Sequence, residues 1–139
     1  MFRLLEERPG SKGAPGAATE LEPAELSGAT GPRIVCAGCL HVLTRGSERI
    51  PVEGEHEHVR VNPFGYAFRF ACFARAPGCV LRGEAERTAT WFPGRAWRYA
   101  HCGGCGGHLG WHWEQLAGEG SFFGLIVPRI TELRDAPEA

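Results

Sequence analysis

The sequence has one lysine, Lys12, and one methionine, Met1. Its 15 basic side chains stand against 16 acidic ones, for a net charge of -1. A chain so balanced lacks the basic face that a phosphate backbone demands, so no nucleic-acid partner is expected. No stretch approaches the roughly 20 consecutive apolar residues of a membrane-spanning helix, and no membrane partner is expected either. The first eight residues, Met-Phe-Arg-Leu-Leu-Glu-Glu-Arg, put charges where a secretory leader needs an unbroken apolar run. There is no glycine-rich phosphate loop ending in lysine, no convincing helical periodicity, and no cysteine after Cys105.

Against these absences stand 20 glycines, four tryptophans and six cysteines. Four of the cysteines form two CxxC pairs, Cys36-Ala-Gly-Cys39 and Cys102-Gly-Gly-Cys105. Two such pairs supply the four thiolates of a closed tetrahedral zinc site, and paired spacing without an export signal favours metal over disulfides in a reducing, cytoplasmic compartment. Sixty-two residues separate Cys39 from Cys102, so one structural Zn2+ on Cys36, Cys39, Cys102 and Cys105 would tie an early hairpin to a late one. Cys72, between Ala71 and Phe73, reads as core.

Residues 1–32 are rich in Gly, Pro, Ala and Glu with isolated leucines, and read as a flexible tail. The ordered domain is expected over 33–131, with 132–139 as a second tail. Within it the pattern gives seven or eight short strands and an all-β fold. Ala67–Phe73 alternates with Phe68, Phe70 and Cys72 on one face. His56 and His58 read as a solvated loop feeding a strand at 58–62, and Gly83–Arg87 as a polar loop. Leu109, Trp111 and Trp113 alternate against His108, Gly110 and His112, and the last strand is expected to end at Val127 before Pro128.

Trp91, Trp97, Trp111 and Trp113 flank the second knuckle. Trp91 precedes the turn Pro93-Gly94, and Gly106, Gly107 and Gly110 beside the other two leave volume that a packed core would fill. Flat walls around a small void make a pocket for a compact planar ligand, with Asn62 as a polar group at its rim. Catalysis is poorly provided for: a four-thiolate metal has no open position for water, and no enzyme activity is expected.

The run Asn62-Pro63, Thr90-Trp91-Phe92-Pro93-Gly94, Trp97, Cys102-Gly-Gly-Cys105 and His108-Leu-Gly-Trp-His-Trp113 resembles the thalidomide-binding (CULT) domain of cereblon. The likeness covers roughly residues 33–130 and is greatest to small bacterial proteins made of that domain alone. It implies two antiparallel sheets meeting at an angle, a β-tent related to methionine sulfoxide reductase B and pinned by zinc. It also implies a non-catalytic cage of Trp91, Trp97 and Trp111, closed by Trp113, where the family has Phe or Tyr. The expected ligand-binding set is Asn62, Pro63, Phe68, Ala89, Thr90, Trp91, Trp97, Trp111 and Trp113. The implied ligands are small cyclic imides: glutarimides of the thalidomide type, uracil or uridine rings, or a peptide end bearing a cyclic imide. Ala89 stands where human cereblon has a histidine, which removes one side-chain donor. The alternatives are a methionine sulfoxide reductase-like enzyme on the same fold, or a zinc-stabilised module for protein or RNA.

Overall fold

Short strands joined by Gly- and Pro-rich turns pair antiparallel, and every strand pair among the described residues does so. The computed structural model describes residues 23–115 and 120–134. Its strands are β1 (Arg33–Cys36), β2 (Val42–Arg45), β3 (Glu57–Val61), β4 (Ala67–Phe73), β5 (Cys79–Glu86), β6 (Arg95–Cys102), β7 (His108–Gln115), β8 (Phe122–Ile126) and β9 (Ile130–Leu133). They form a three-stranded sheet, β2-β1-β9, and a six-stranded sheet, β3-β4-β8-β7-β6-β5.

The period of two divides the core. One face of the large sheet carries Phe70, Cys72, Trp111, Trp113, Phe122 and Ile126, packed with Phe92 as an aromatic cluster. From the other face Ala71, Phe73 and Leu125 pack with Ile34, Cys36 and Leu43 of the small sheet, which puts the two sheets in contact. Close backbone approach occurs both against the small sheet and within the large one. A Cβ on Gly78 would lie 2.0 Å from the carbonyl oxygen of Val42, and one on Gly110 would lie 1.9 Å from that of Gly124. Gly124 in turn leaves room for the rings of Trp113 and Phe70, both within 2.7 Å of where its Cβ would stand.

The structure departs from the sequence reading in four places. The folded part begins before residue 33: Leu26, in a 3-10 turn over Ala24–Leu26, is buried against Val35 and Val42. Residues 1–22 and 135–139 of the expected tails lie outside the described residues. At the other end, β9 runs past the expected boundary at 131 and pairs with β1 from Cys36↔Ile130 to Arg33↔Leu133. Pro128 does not end the sheet structure; it sits in a 3-10 turn, Val127–Arg129, that hands the chain to the small sheet. Gly83–Glu86 belongs to β5 instead of a loop, with a register shift between Arg82 and Glu86.

The fourth departure bears on the site. A bulge shifts the β6–β7 register between Ala100 and His101. A bulge inserts a residue and reverses the alternation beyond it. Leu109 therefore packs with Leu125 and Phe73, while the His108 ring meets Tyr99 and Trp111.

Candidate functional site

Two hairpins bring the CxxC pairs together. In each, the N–H of the first cysteine donates to the carbonyl five residues on, Cys36 to His41 at 3.0 Å and Cys102 to Gly107 at 2.8 Å. In each, the residue after the second cysteine donates back to the first, Leu40 to Cys36 at 2.7 Å and Gly106 to Cys102 at 2.9 Å. The same tight turn thus presents both sulfurs of each pair. The four Sγ atoms lie within 4.8 Å of one another, with Cys36–Cys105 at 3.8 Å and Cys39–Cys102 at 3.6 Å. A tetrahedral ion with metal–sulfur distances of about 2.3 Å has sulfur–sulfur edges of about 3.8 Å, so the cluster is geometrically capable of coordinating a metal ion. The Cys102 thiol beside it holds Cys36 down at about 5. The hydrogen bond to Cys36 and burial push Cys102 itself up, against the N–H groups of Gly104 and Cys105, which point at its Sγ at 3.3 and 3.5 Å and lower it. By contrast, burial pushes Cys72 and Cys79 up to about 12, which leaves them poor nucleophiles.

A cavity of about 60 Å³ opens on the aromatic face of the large sheet. One water takes about 10–15 Å³ of such space, so the cavity admits a few waters or one compact ring. Its wall comes from three parts of the chain. The β3–β4 hairpin brings Asn62, Pro63 and Phe68; the β5–β6 connection brings Ala89 and Trp91; β6 and β7 bring Trp97, Tyr99, Trp111 and Trp113. All of the expected ligand set except Thr90 therefore gathers here. The Thr90 hydroxyl instead exchanges 3.3 Å hydrogen bonds with the main chain of Phe92. Tyr99 is the residue that sequence reasoning missed: it shares a face with Trp97, but one tyrosine in a strand carries no signal of its own.

The walls are braced. Trp91 and Trp111 meet edge to face at 5.1 Å, and Trp91 stacks on Phe70 at 5.7 Å. The indole N–H of Trp91 donates to the Val61 carbonyl at 3.3 Å and that of Trp97 to the Thr88 carbonyl at 2.9 Å, so both N–H groups are spent on main-chain carbonyls. Trp113 is only 1% exposed and forms part of the floor, stacked on Phe122. The Asn62 Oδ1 accepts the N–H groups of Phe64 and Tyr66, both at 2.9 Å, which fixes the turn carrying Pro63. Its buried Nδ2 has no partner among the described residues. Gly106, Gly107 and Gly110 do not line the cavity, contrary to the reading that they create it. Gly106 shapes the knuckle, and Gly110 admits the backbone of Gly124.

Two histidines are held inside the fold. His58 is buried, stacked on Phe70 and bonded through Nε2 to the Glu55 carbonyl, so it is core and not solvated loop. His108 donates from Nε2 to the Gly110 carbonyl at 2.9 Å and accepts at Nδ1 from Arg129 at 3.3 Å. Burial, with Arg129 and His101 nearby, pushes it down to about 3, which keeps the ring neutral.

No protein-family model matches the chain. Among curated proteins it is similar to the protein cereblon of Gallus gallus, 37% identical over 82 residues, which is 54% of this chain and 18% of that protein. It is likewise 37% identical to that of Xenopus tropicalis over 79 residues and 35% identical to that of Danio rerio over 85 residues. These matches cover 52% and 56% of this chain, and 18% and 20% of the relatives. The aligned stretch thus spans only about a fifth of the length of the curated relatives. Over that stretch the chain is homologous, at the family level, to one region of vertebrate cereblon.

Proposed function

We propose that this chain is a zinc-stabilised, non-catalytic binding module whose tryptophan cage holds a small cyclic imide. Ligands of this class are a glutarimide of the thalidomide type, a uracil or uridine ring, or a peptide end cyclised to an imide. The observation that carries the reading is the lining itself: six aromatic side chains, one proline, one alanine and one amide, with no carboxylate among them. Aromatic cages for quaternary ammonium ions attract charge; a lining without an anion suits a neutral ring better. The main chain at residues 89–91 supplies the polar edge, its carbonyls meeting the imide N–H and its amides an imide oxygen. Ala89 adds no side-chain donor, so binding is weaker by about one hydrogen bond, 0.5–1.5 kcal/mol. The ion held by the four thiolates is zinc, and a site of this kind belongs in a reducing, cytoplasmic setting. We read the two sheets as the same arrangement as in methionine sulfoxide reductase B.

A ring of so few atoms gains micromolar affinity at about 0.3–0.6 kcal/mol per heavy atom. Titration with a glutarimide or uridine is expected to quench tryptophan fluorescence with a micromolar midpoint. Trp111→Ala loses that signal and retains the zinc. An N-methylated imide that binds as well as its parent overturns the reading. An enzyme of the sulfoxide reductase kind needs a thiolate after the second knuckle, where β8 reads Phe122-Phe123-Gly124-Leu125. Incubation with methionine sulfoxide and a thiol reductant is expected to give no methionine above the protein-free control.

A further inference from the structure

The cavity and the four-cysteine cluster are joined by two bonds to one residue. Arg129, in the turn between β8 and β9, receives the N–H of Ala37 on its carbonyl oxygen at 2.9 Å. Ala37 lies inside the first knuckle, between Cys36 and Cys39. The guanidinium of the same Arg129 donates from Nη1 to the carbonyl of His108 at 2.9 Å and faces its Nδ1 at 3.3 Å. The His108 ring then stands edge-on to Tyr99 and Trp111, both at 5.4 Å, and these two side chains are cavity walls. A parallel contact leaves the second knuckle: His101 Nδ1 meets the Gly106 carbonyl at 2.9 Å, and the His101 ring lies 5.4 Å from that of His108. Both knuckles thus converge on a single buried imidazole behind the cage.

We propose that Arg129 and His108 are positioning residues that couple metal occupancy at the four-cysteine site to the geometry of the cavity. The first knuckle is held in shape by its metal, and Ala37 then fixes the turn that carries Arg129. Arg129 fixes His108, and His108 sets the separation of Tyr99 and Trp111. Such a link is reciprocal: whatever tightens the cage must also tighten the hold on the metal by the same factor. The inference rests on the cage reading above, and its test separates the two.

The zinc-loaded full chain is equilibrated with a chromophoric chelator, and its zinc affinity is read with and without saturating uridine. In the wild type uridine tightens zinc binding about fivefold or more, the usual scale of such coupling. In Arg129→Met, on a partly exposed position, the ratio falls to about twofold or less, and Arg129→Lys restores part of it through a single donor. An unchanged ratio in Arg129→Met, or a wild-type zinc affinity indifferent to uridine that demonstrably binds, overturns the proposal. If uridine does not bind the wild type at all, the decision passes to Trp111→Ala without ligand. A zinc affinity changed severalfold supports the link even though the cage reading has failed, and an unchanged affinity overturns it.

Discussion

Leu40 stands at φ +68° at the place in the first knuckle that Gly106, at φ +82°, occupies in the second. Both residues follow the second cysteine and both donate to the first, so the turn demands a left-handed backbone in each case. Glycine adopts it freely, whereas a residue with a Cβ bears about 1–2 kcal/mol. Leu40 is 45% exposed and loses little by truncation. Leu40→Gly is therefore expected to leave the zinc-loaded protein equally stable or more so by up to about 1 kcal/mol, after the larger unfolded-state entropy of glycine is subtracted. The reciprocal Gly106→Ala meets no atom within 4 Å, so its expected cost of about 1 kcal/mol is purely conformational. Thermal melts of the pair check both.

Metal removal has a sharper consequence. The thiolates meet only in the folded chain, so metal affinity is folding free energy. Freshly purified protein is expected to carry one zinc per chain, and a strong chelator or Cys102→Ser to abolish the cooperative melt. A metal-free protein with an unchanged melt refutes this.

Stability should fall with acid in a defined window. The folded-state value of His108 lies near 3 against an ordinary 6.5, so the folded protein binds fewer protons there than the unfolded chain. Its stabilisation is complete above about pH 6.5 and is lost as the pH falls toward 3, at up to about 1.4 kcal/mol per pH unit. Burial also lowers His112, and its contribution has the same sign. Denaturant titrations at pH 7.5, 6.5 and 5.5 with saturating zinc give the slope, and His108→Gln should flatten it by about one proton.

Gly110 tests the close approach of β7 and β8. Gly110→Ala forces a methyl to within 1.9 Å of the Gly124 carbonyl oxygen, and backbone cannot rotate away as a side chain can. The expected loss is about 3 kcal/mol or more, read as a lower denaturation midpoint.

The brace of the cage can be removed without removing a wall. Trp97→Phe keeps an aromatic face but deletes the 2.9 Å bond to the Thr88 carbonyl. Calorimetric titration with uridine is expected to show affinity reduced about 2–10-fold, the worth of one hydrogen bond, with zinc content unchanged.

Much of this was legible in the chain because the signals are local. CxxC spacing is a statement about four sulfurs, and the alternation of Trp111 and Trp113 held because β7 is regular there. What escaped was set by distant partners. His108 and Leu109 exchanged faces through a bulge against β6. Thr131–Leu133 became a strand because β1 had a free edge for it, although Pro128 had signalled an end. Leu26 looked like one leucine in a polar tail, and it is buried because it packs with Val35 and Val42. The Asn62 amide could be placed at the rim from Asn-Pro; its turn, which spends Oδ1 on two backbone donors, could not.

The order in which this chain leaves a ribosome now matters. Cys39 and Cys102 are 63 positions apart, and at about 5–20 residues per second the first knuckle emerges roughly 3–12 s before the second. Through that interval it offers a metal only two sulfurs. The small sheet waits longer still, since β1 completes its pairing with β9, the last strand among the described residues. Completion of the four-sulfur site and closure of the small sheet therefore follow one another closely in synthesis, and a nascent chain stalled before Cys102 would present a bare thiol pair to oxidants and to softer metals such as copper.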